Sequence, residues 1–293
     1  MKPVIGFIGL GLMGQAFTRR LTGRGYTVLG YDLDQDKISR AAKHGVAAAS
    51  SPADAAARAD LLLLCVTSTD AVEAVVFGAD GIAEAAGEGK LLVDHSTTTL
   101  RATRDMAERL AAANGMGWVD APVSGGPPAA EAGTLAIMAG GDEEAVTRIA
   151  PVMADLAATF THMGGIGAGQ ATKMVNQILV LSNYCILAEA LALAEAAGVD
   201  ASRIPAALAP GHAGSNLLQA VFPRMIARDF EPTGYVRQVM KDLDMVGDLA
   251  RELKVPIPMT GQAAALYRLL VNKGQAERDG TAILKLYEPA NDL

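Results

Sequence analysis

The chain has 293 residues, with 25 Lys+Arg against 32 Asp+Glu and a formal charge of −7. Half of it is hydrophobic (51%) and 19% is charged, a balance that supports a large core, excludes a largely disordered chain and offers no broad basic surface for nucleic acid. Cys65 and Cys185 form neither a CxxC pair nor a disulfide framework, which suits a reducing, cytoplasmic setting.

In chain order, the opening MKPVIGFIGLGLMG resembles a signal peptide in its single lysine and apolar run. Its glycines, however, fall at a nucleotide-binding spacing, and Arg19 and Arg20 stand where a cleavage region belongs. Short apolar runs over 4–8, 27–31, 61–66, 91–94, 118–120, 135–139 and 159–163 read as strands. Helical patterns over 13–24, 36–44, 53–58, 100–114 and 143–156 separate them. This alternation predicts an α/β, Rossmann-type doubly wound parallel sheet over residues 1–164. A glycine-rich link over 164–169 then opens into a long helix over 170–197. Helices over 202–208, 215–228, 236–253 and 257–273 follow, with a tail after Asp279, giving an all-helical domain over 165–293. Asn183, Glu189 and Glu195 interrupt the most apolar stretch, so it reads as a helix buried in protein and not as a membrane span. The apolar length of that helix exceeds what one small domain covers, which points to a homo-oligomer, a dimer or tetramer.

Gly9-Leu10-Gly11-Leu12-Met13-Gly14 follows the first strand and opens the first helix. Glycines at this spacing allow a tight turn, backbone approach to a pyrophosphate and close helix–strand packing. Asp32 closes the second strand, where a carboxylate accepts from ribose hydroxyls and repels a 2′-phosphate. The stretch Tyr31-Asp32-Leu33-Asp34-Gln35-Asp36 holds three acids and no arginine, so NAD is expected over NADP, although Lys37 and Arg40 lie nearby.

Three further segments carry candidate chemistry. In Asp120-Ala121-Pro122-Val123-Ser124-Gly125-Gly126, a hydroxyl and successive unhindered amides suit a carboxylate; taken alone the segment is more often an ordinary Ser-Gly-Gly turn. In Lys173-Met174-Val175-Asn176-Gln177, Lys173 and Asn176 share a helix face at i,i+3. Lys173 is there either a snorkelling surface lysine or a partly desolvated ammonium suited to proton exchange. Lys241-Asp242 alone reads as a solvated helix face. His44, His95, His162 and His212 show no paired metal-ligand spacing, so no metal is expected. His95 adjoins the segment Ser96-Thr97 and stands apart from the others for that reason.

Taken in order, GLGLMG, DAPVSGG, GAGQATKMVNQ and MKDLDM resemble the 3-hydroxyisobutyrate dehydrogenase family, the β-hydroxyacid dehydrogenases, which includes tartronate semialdehyde reductases. The resemblance spans essentially the whole chain. It implies a Rossmann-type domain and a helical domain joined by a long helix, with a site in the cleft between them. It also implies reversible hydride exchange between the dinucleotide and a small 3-hydroxy acid or its semialdehyde. By position it makes Lys173 the catalytic lysine and Ser124, Gly125 and Gly126 the substrate-carboxylate loop. Asn176 becomes the substrate-orienting amide, and Lys241 with Asp242, Thr97, Val66 and Thr67 become cofactor-side residues. Val66-Thr67 departs from the Leu-Pro common in relatives. His212 stands where an apolar residue is common and Tyr235 where Phe is usual; both suit a polyhydroxylated substrate, whereas Glu277-Arg278-Asp279-Gly280 resembles the hydroxyisobutyrate branch. The related phosphogluconate dehydrogenases carry His-Asn where this chain has Asn176-Gln177. The alternative to an enzyme is a dinucleotide-binding scaffold or sensor on the same fold.

Overall fold

The computed structural model describes residues 2–85 and 87–288, and its internal contacts divide the chain into two units, Met1–Lys173 and Met174–Leu293.

The first unit is built on a nine-stranded sheet. β1 (Ile5–Ile8) leads through α1 (Leu12–Gly23), β2 (Val28–Tyr31) and α2 (Gln35–Ala42) to the two-residue β3 (Ala47–Ala48). After α3 (Pro52–Arg58) the chain crosses back to β4 (Leu61–Leu64), whose four leucines are buried because helices cover both sheet faces. Next come α4 (Thr69–Phe77), α5 (Ile82–Ala85), β5 (Leu91–Asp94), α6 (Leu100–Asn114) and β6 (Gly117–Asp120). The strand order β3-β2-β1-β4-β5-β6 is parallel throughout. The order of connection switches between β1 and β4, the position at whose carboxyl ends open α/β sheets bind ligands.

Beyond β6 the sheet is no longer purely parallel. β7 (Val123–Ser124), α7 (Gly126–Ala132), β8 (Leu135–Gly140), α8 (Glu143–Leu156) and β9 (Ala157–Gly164) complete the sequence. β8 runs antiparallel to β6 and β7, and β9 pairs parallel to β8. The sheet is thus mostly parallel, with an antiparallel insertion that the sequence pattern did not show. A two-residue strand carries no alternation to read. Pro127 and Pro128 begin α7, at the first helical positions where a missing N–H costs nothing; there the sequence suggests only a glycine turn.

α9 (Ala168–Ala196) has the length and composition of a bilayer span, with mean hydropathy 1.6. Leu181, Cys185, Ala188 and Leu191 on it belong to the buried core of the second unit, so it is a core helix. The division between units falls inside α9, after Lys173. The second unit continues with α10 (Ile204–Leu208), α11 (Asn216–Ile226), α12 (Val236–Leu253) and α13 (Pro258–Asn272), ending in a 3₁₀ segment over Gly280–Leu286. Among its described residues there is no strand beyond one isolated bridge, Tyr235 to Asp279. Phe222, Tyr267, Leu191 and Ile283 are fully buried at its centre.

Candidate active site

The glycine turn sits at the carboxyl end of β1. Gly9 has φ +94°, and a Cβ there would lie 2.2 Å from the Cys65 carbonyl oxygen; one on Gly14 would lie 1.9 Å from the Gly9 carbonyl oxygen. Both positions require glycine for packing. Gly11 differs, because a Cβ on it would meet nothing within 4 Å. Gly11 is also the N-cap of α1, with no side chain capping the helix and no acid in its first turn. Leu12 is exposed beside it and Met13 packs against the core. The N-terminus of α1 is therefore open beside Gly11 and carries no side-chain cap, as an anion-binding helix terminus requires.

Asp32 stands at the end of β2. Its Oδ2 accepts from Leu10 N at 2.7 Å, which ties the acid to the glycine turn. Its Oδ1 accepts from Asp34 N at 3.0 Å and lies 3.3 Å from Lys37 Nζ, which is also 3.9 Å from Asp34. The nearest base is thus paired with two carboxylates, and exposed Arg40 has no place in that cluster. The open glycine, the uncapped helix and the carboxylate that closes β2 fit a dinucleotide.

Two loops follow on the same sheet edge. Val66 N, just past β4, donates to Ser96 Oγ at 2.9 Å, and Ser96 N donates to Asp94 Oδ1 at 2.9 Å. Val66 and Thr97 are half-buried and Thr67 is exposed. His95 is buried and stacks on Phe17 with ring centroids 4.9 Å apart. Its Nδ1 donates to the Ala121 carbonyl at 2.7 Å, which makes Nε2 the unprotonated nitrogen. Burial pushes the imidazole down to about 4, against the pull of that carbonyl. His95 is a neutral prop beneath the segment leading to Ser124.

Lys173, on the second turn of α9, is 8% exposed. Its Nζ donates to the Val123 carbonyl at 2.7 Å, which brings the ammonium to the residue before Ser124. Ser124 is half-buried in β7, and Gly125 and Gly126 follow with φ +127° and +68°. A Cβ on Gly126 would meet nothing closer than 3.8 Å, so the backbone is open on that side. Asp120 anchors this corner from below. Fully buried, it accepts from Gly167 N at 2.7 Å and Gln170 N at 2.9 Å. Burial raises its carboxyl to about 6, more than those amides lower it.

The remaining candidates lie in the second unit. Asn176 Nδ2 donates to Gln177 Oε1 at 2.8 Å, and Gln177 Nε2 donates to the Asp242 carboxylate. Asp242 in turn lies 3.1 Å from Lys241 Nζ. Asn176, Lys241 and Asp242 therefore form one relay joined through Gln177. Tyr235 is the half-buried N-cap of α12, its ring 4.3 Å from the Arg237 guanidinium. His212 is exposed in the turn after α10, and among the described residues no hydrogen bond joins it to the other candidates.

Gln170, Gln177 and Asp120 are absent from the sequence-derived site. A signal for the first two exists: Gln170, Lys173 and Gln177 fall at i, i+3 and i+7 on an apolar helix, and all three are buried. Buried polar groups on one face demand partners.

Residues 4–165 match the family model described as the NAD binding domain of 6-phosphogluconate dehydrogenase, and residues 167–287 match that of the NAD-binding domain of NADP-dependent 3-hydroxyisobutyrate dehydrogenase. The chain is 33% identical to 2-hydroxy-3-oxopropionate reductase of Escherichia coli, over 97% of each chain. It is likewise 33% identical to L-threonate dehydrogenase of Cupriavidus necator, over 98% of this chain and 97% of that one. Its fold matches the crystal structure of 3-hydroxyisobutyrate dehydrogenase from Salmonella typhimurium with TM-score 0.88 and 29% identity, over 97% of this chain and 100% of the other.

Proposed function

Since the chain belongs to the 3-hydroxyisobutyrate dehydrogenase family and is a dinucleotide-dependent oxidoreductase of the hydroxyacid dehydrogenase type, we propose that Lys173 is its proton-transfer residue, that NAD is its preferred cofactor, and that its substrate is a small 3-hydroxycarboxylate or the corresponding semialdehyde. A bound nicotinamide dinucleotide supplies the hydride donor or acceptor. The chain's own residues do the rest. The Gly9–Gly14 turn and the amides of α1 hold the pyrophosphate, and Asp32 takes the adenosine ribose hydroxyls. Ser124 with the amides of Gly125 and Gly126 binds the substrate carboxylate. Lys173 gives its proton to the forming alcohol in reduction and accepts it in oxidation, stabilising charge that develops mainly in the transition state. Asn176 orients the reacting oxygen, and Lys241, held by Asp242, serves the cofactor side together with Thr97, Val66 and Thr67.

One observation carries this reading: a buried lysine ammonium 2.7 Å from the carbonyl that precedes Ser124. That contact supports pairing a proton carrier on α9 with a carboxylate binder at Ser124. NAD is favoured over NADP because Lys37, the base nearest Asp32, is already paired with two acids and a 2′-phosphate would meet negative charge. His212 and Tyr235 are assigned to the substrate's distal end. We read the protein as a cytoplasmic homo-oligomer, with exposed Val175, Leu179, Ile186 and Leu193 on α9 supplying apolar surface for self-association.

A panel of 3-hydroxyisobutyrate, glycerate, threonate and the semialdehydes, followed at the nicotinamide absorbance with NAD or NADH, tests the function. Turnover of at least one member is expected. Tight NADH binding with no turnover of any of them supports a scaffold or sensor instead.

A further inference from the structure

Gln170 is fully buried, one helical turn before Lys173. Its side-chain amide is used twice: Nε2 donates to the Ser96 carbonyl at 2.8 Å, and Oε1 accepts from Thr98 N at 3.1 Å. The amide thus pairs with the backbone on both sides of Thr97, in the manner of a neighbouring strand. The loop it grips is itself tied down, since Ser96 Oγ holds Val66 N and Thr98 Oγ1 bonds Thr103 Oγ1 at 2.7 Å. Gln170 N is fixed in turn by Asp120 at 2.9 Å. Three residues of α-helix rise about 4.5 Å, so a single turn carries both this clamp and the ammonium bonded to the Val123 carbonyl.

We propose that Gln170 is a positioning residue for the reaction: by clamping the backbone on either side of Thr97 to the turn that bears Lys173, it fixes the ammonium relative to the loop assigned to the nicotinamide. The proposal rests on the assignment of Lys173 made above. Two independently mobile loops would leave that distance free to vary, and a misplacement of about 1 Å in a reacting group costs up to about 10²-fold in rate. The clamp removes that freedom without touching substrate.

Two variants test it, assayed with NAD and whichever hydroxy acid of the panel is turned over. Gln170→Met keeps length and removes both hydrogen bonds. It should lower kcat about 10-fold or more while the NADH dissociation constant, read by fluorescence, changes less than about threefold. The primary deuterium isotope effect on kcat should rise, because hydride transfer becomes slower relative to the other steps; loss of folded molecules lowers the rate without moving the isotope effect. Gln170→Glu should regain turnover as pH falls, because the protonated acid again donates to the Ser96 carbonyl while accepting from Thr98 N. Unchanged kcat in Gln170→Met, or a rate that falls only in step with the folded fraction at a constant isotope effect, overturns the proposal. Lys173→Ala run in parallel separates the two claims: if that variant is inactive while Gln170→Met is normal, the clamp fails and the lysine assignment stands. Normal turnover in Lys173→Ala defeats both.

Discussion

Two buried aspartates, one in each unit, show how differently the same group is used. Asp120 and Asp279 are 0% and 1% exposed. Asp120 is met by backbone amides at the head of α9, and burial raises it to about 6. Asp279 is also pushed upward by burial, but the amides of Thr281 and Thr233, the Thr233 hydroxyl and the Arg224 guanidinium outweigh that push and hold it below the ordinary range. Arg224 lies 3.2 Å from it. Burial alone does not set the charge of a carboxyl; a cation and a fuller set of donors do. In the helical unit this gives a fixed ionic hub closing the 3₁₀ segment onto α11. In the sheet unit it gives an acid near its titration range, adjoining the candidate site.

The largest effect is expected at the ionic hub. Asp279→Asn leaves Arg224 without its buried partner and should cost about 3–5 kcal/mol in denaturant unfolding, with turnover per folded molecule nearly unchanged. A loss under about 1 kcal/mol would mean the pair is solvated and the contrast false.

The two acids should give the fold opposite pH dependences. A carboxyl raised in the fold stabilises it below its unfolded value and loses that contribution as pH climbs through the folded one. The advantage of the native chain over Asp120→Asn should therefore shrink by up to about 3 kcal/mol between about pH 4 and pH 6. A carboxyl lowered in the fold behaves in reverse, so the advantage over Asp279→Asn should shrink as pH falls below about 4. Unfolding curves of both variants from pH 3 to pH 7 decide it; parallel trends for the two would remove the distinction.

The smallest effect concerns Asp32. Replacing it with Ala should shift the ratio of kcat/KM for NAD over NADP by about 10-fold toward NADP, because the repelling carboxylate is gone while Lys37 is released from it. A native enzyme already faster with NADP would contradict the assignment.

What the sequence makes legible depends on range. The glycine turn, Asp32 and the alternation that builds the sheet are local patterns, and each can be seen within a few residues. Lys173 and the Ser124-Gly125-Gly126 segment can be singled out from motif order, but the bond from Lys173 to Val123 cannot, since the two are 50 residues apart. Gln170 reaches Ser96 across 74 positions and Gln177 reaches Asp242 across 65. Glutamines on an apolar helix show a need for partners without naming them. β7 and α7 escaped for another reason: two residues show no period, and Gly-Gly-Pro-Pro reads as a turn until the prolines are seen to begin a helix. His95 drew attention by its place in the sequence, and the fold makes it a packed, neutral support.

The proposed chemistry turns on the Lys173 ammonium. Steady-state rates of Lys173→Ala with NAD and the best hydroxy acid of the panel, measured with and without added methylamine, test it most directly. A kcat lower by about 10²-fold or more is expected, partly restored by the free amine. Turnover close to that of the unaltered enzyme, with no response to methylamine, would contradict it.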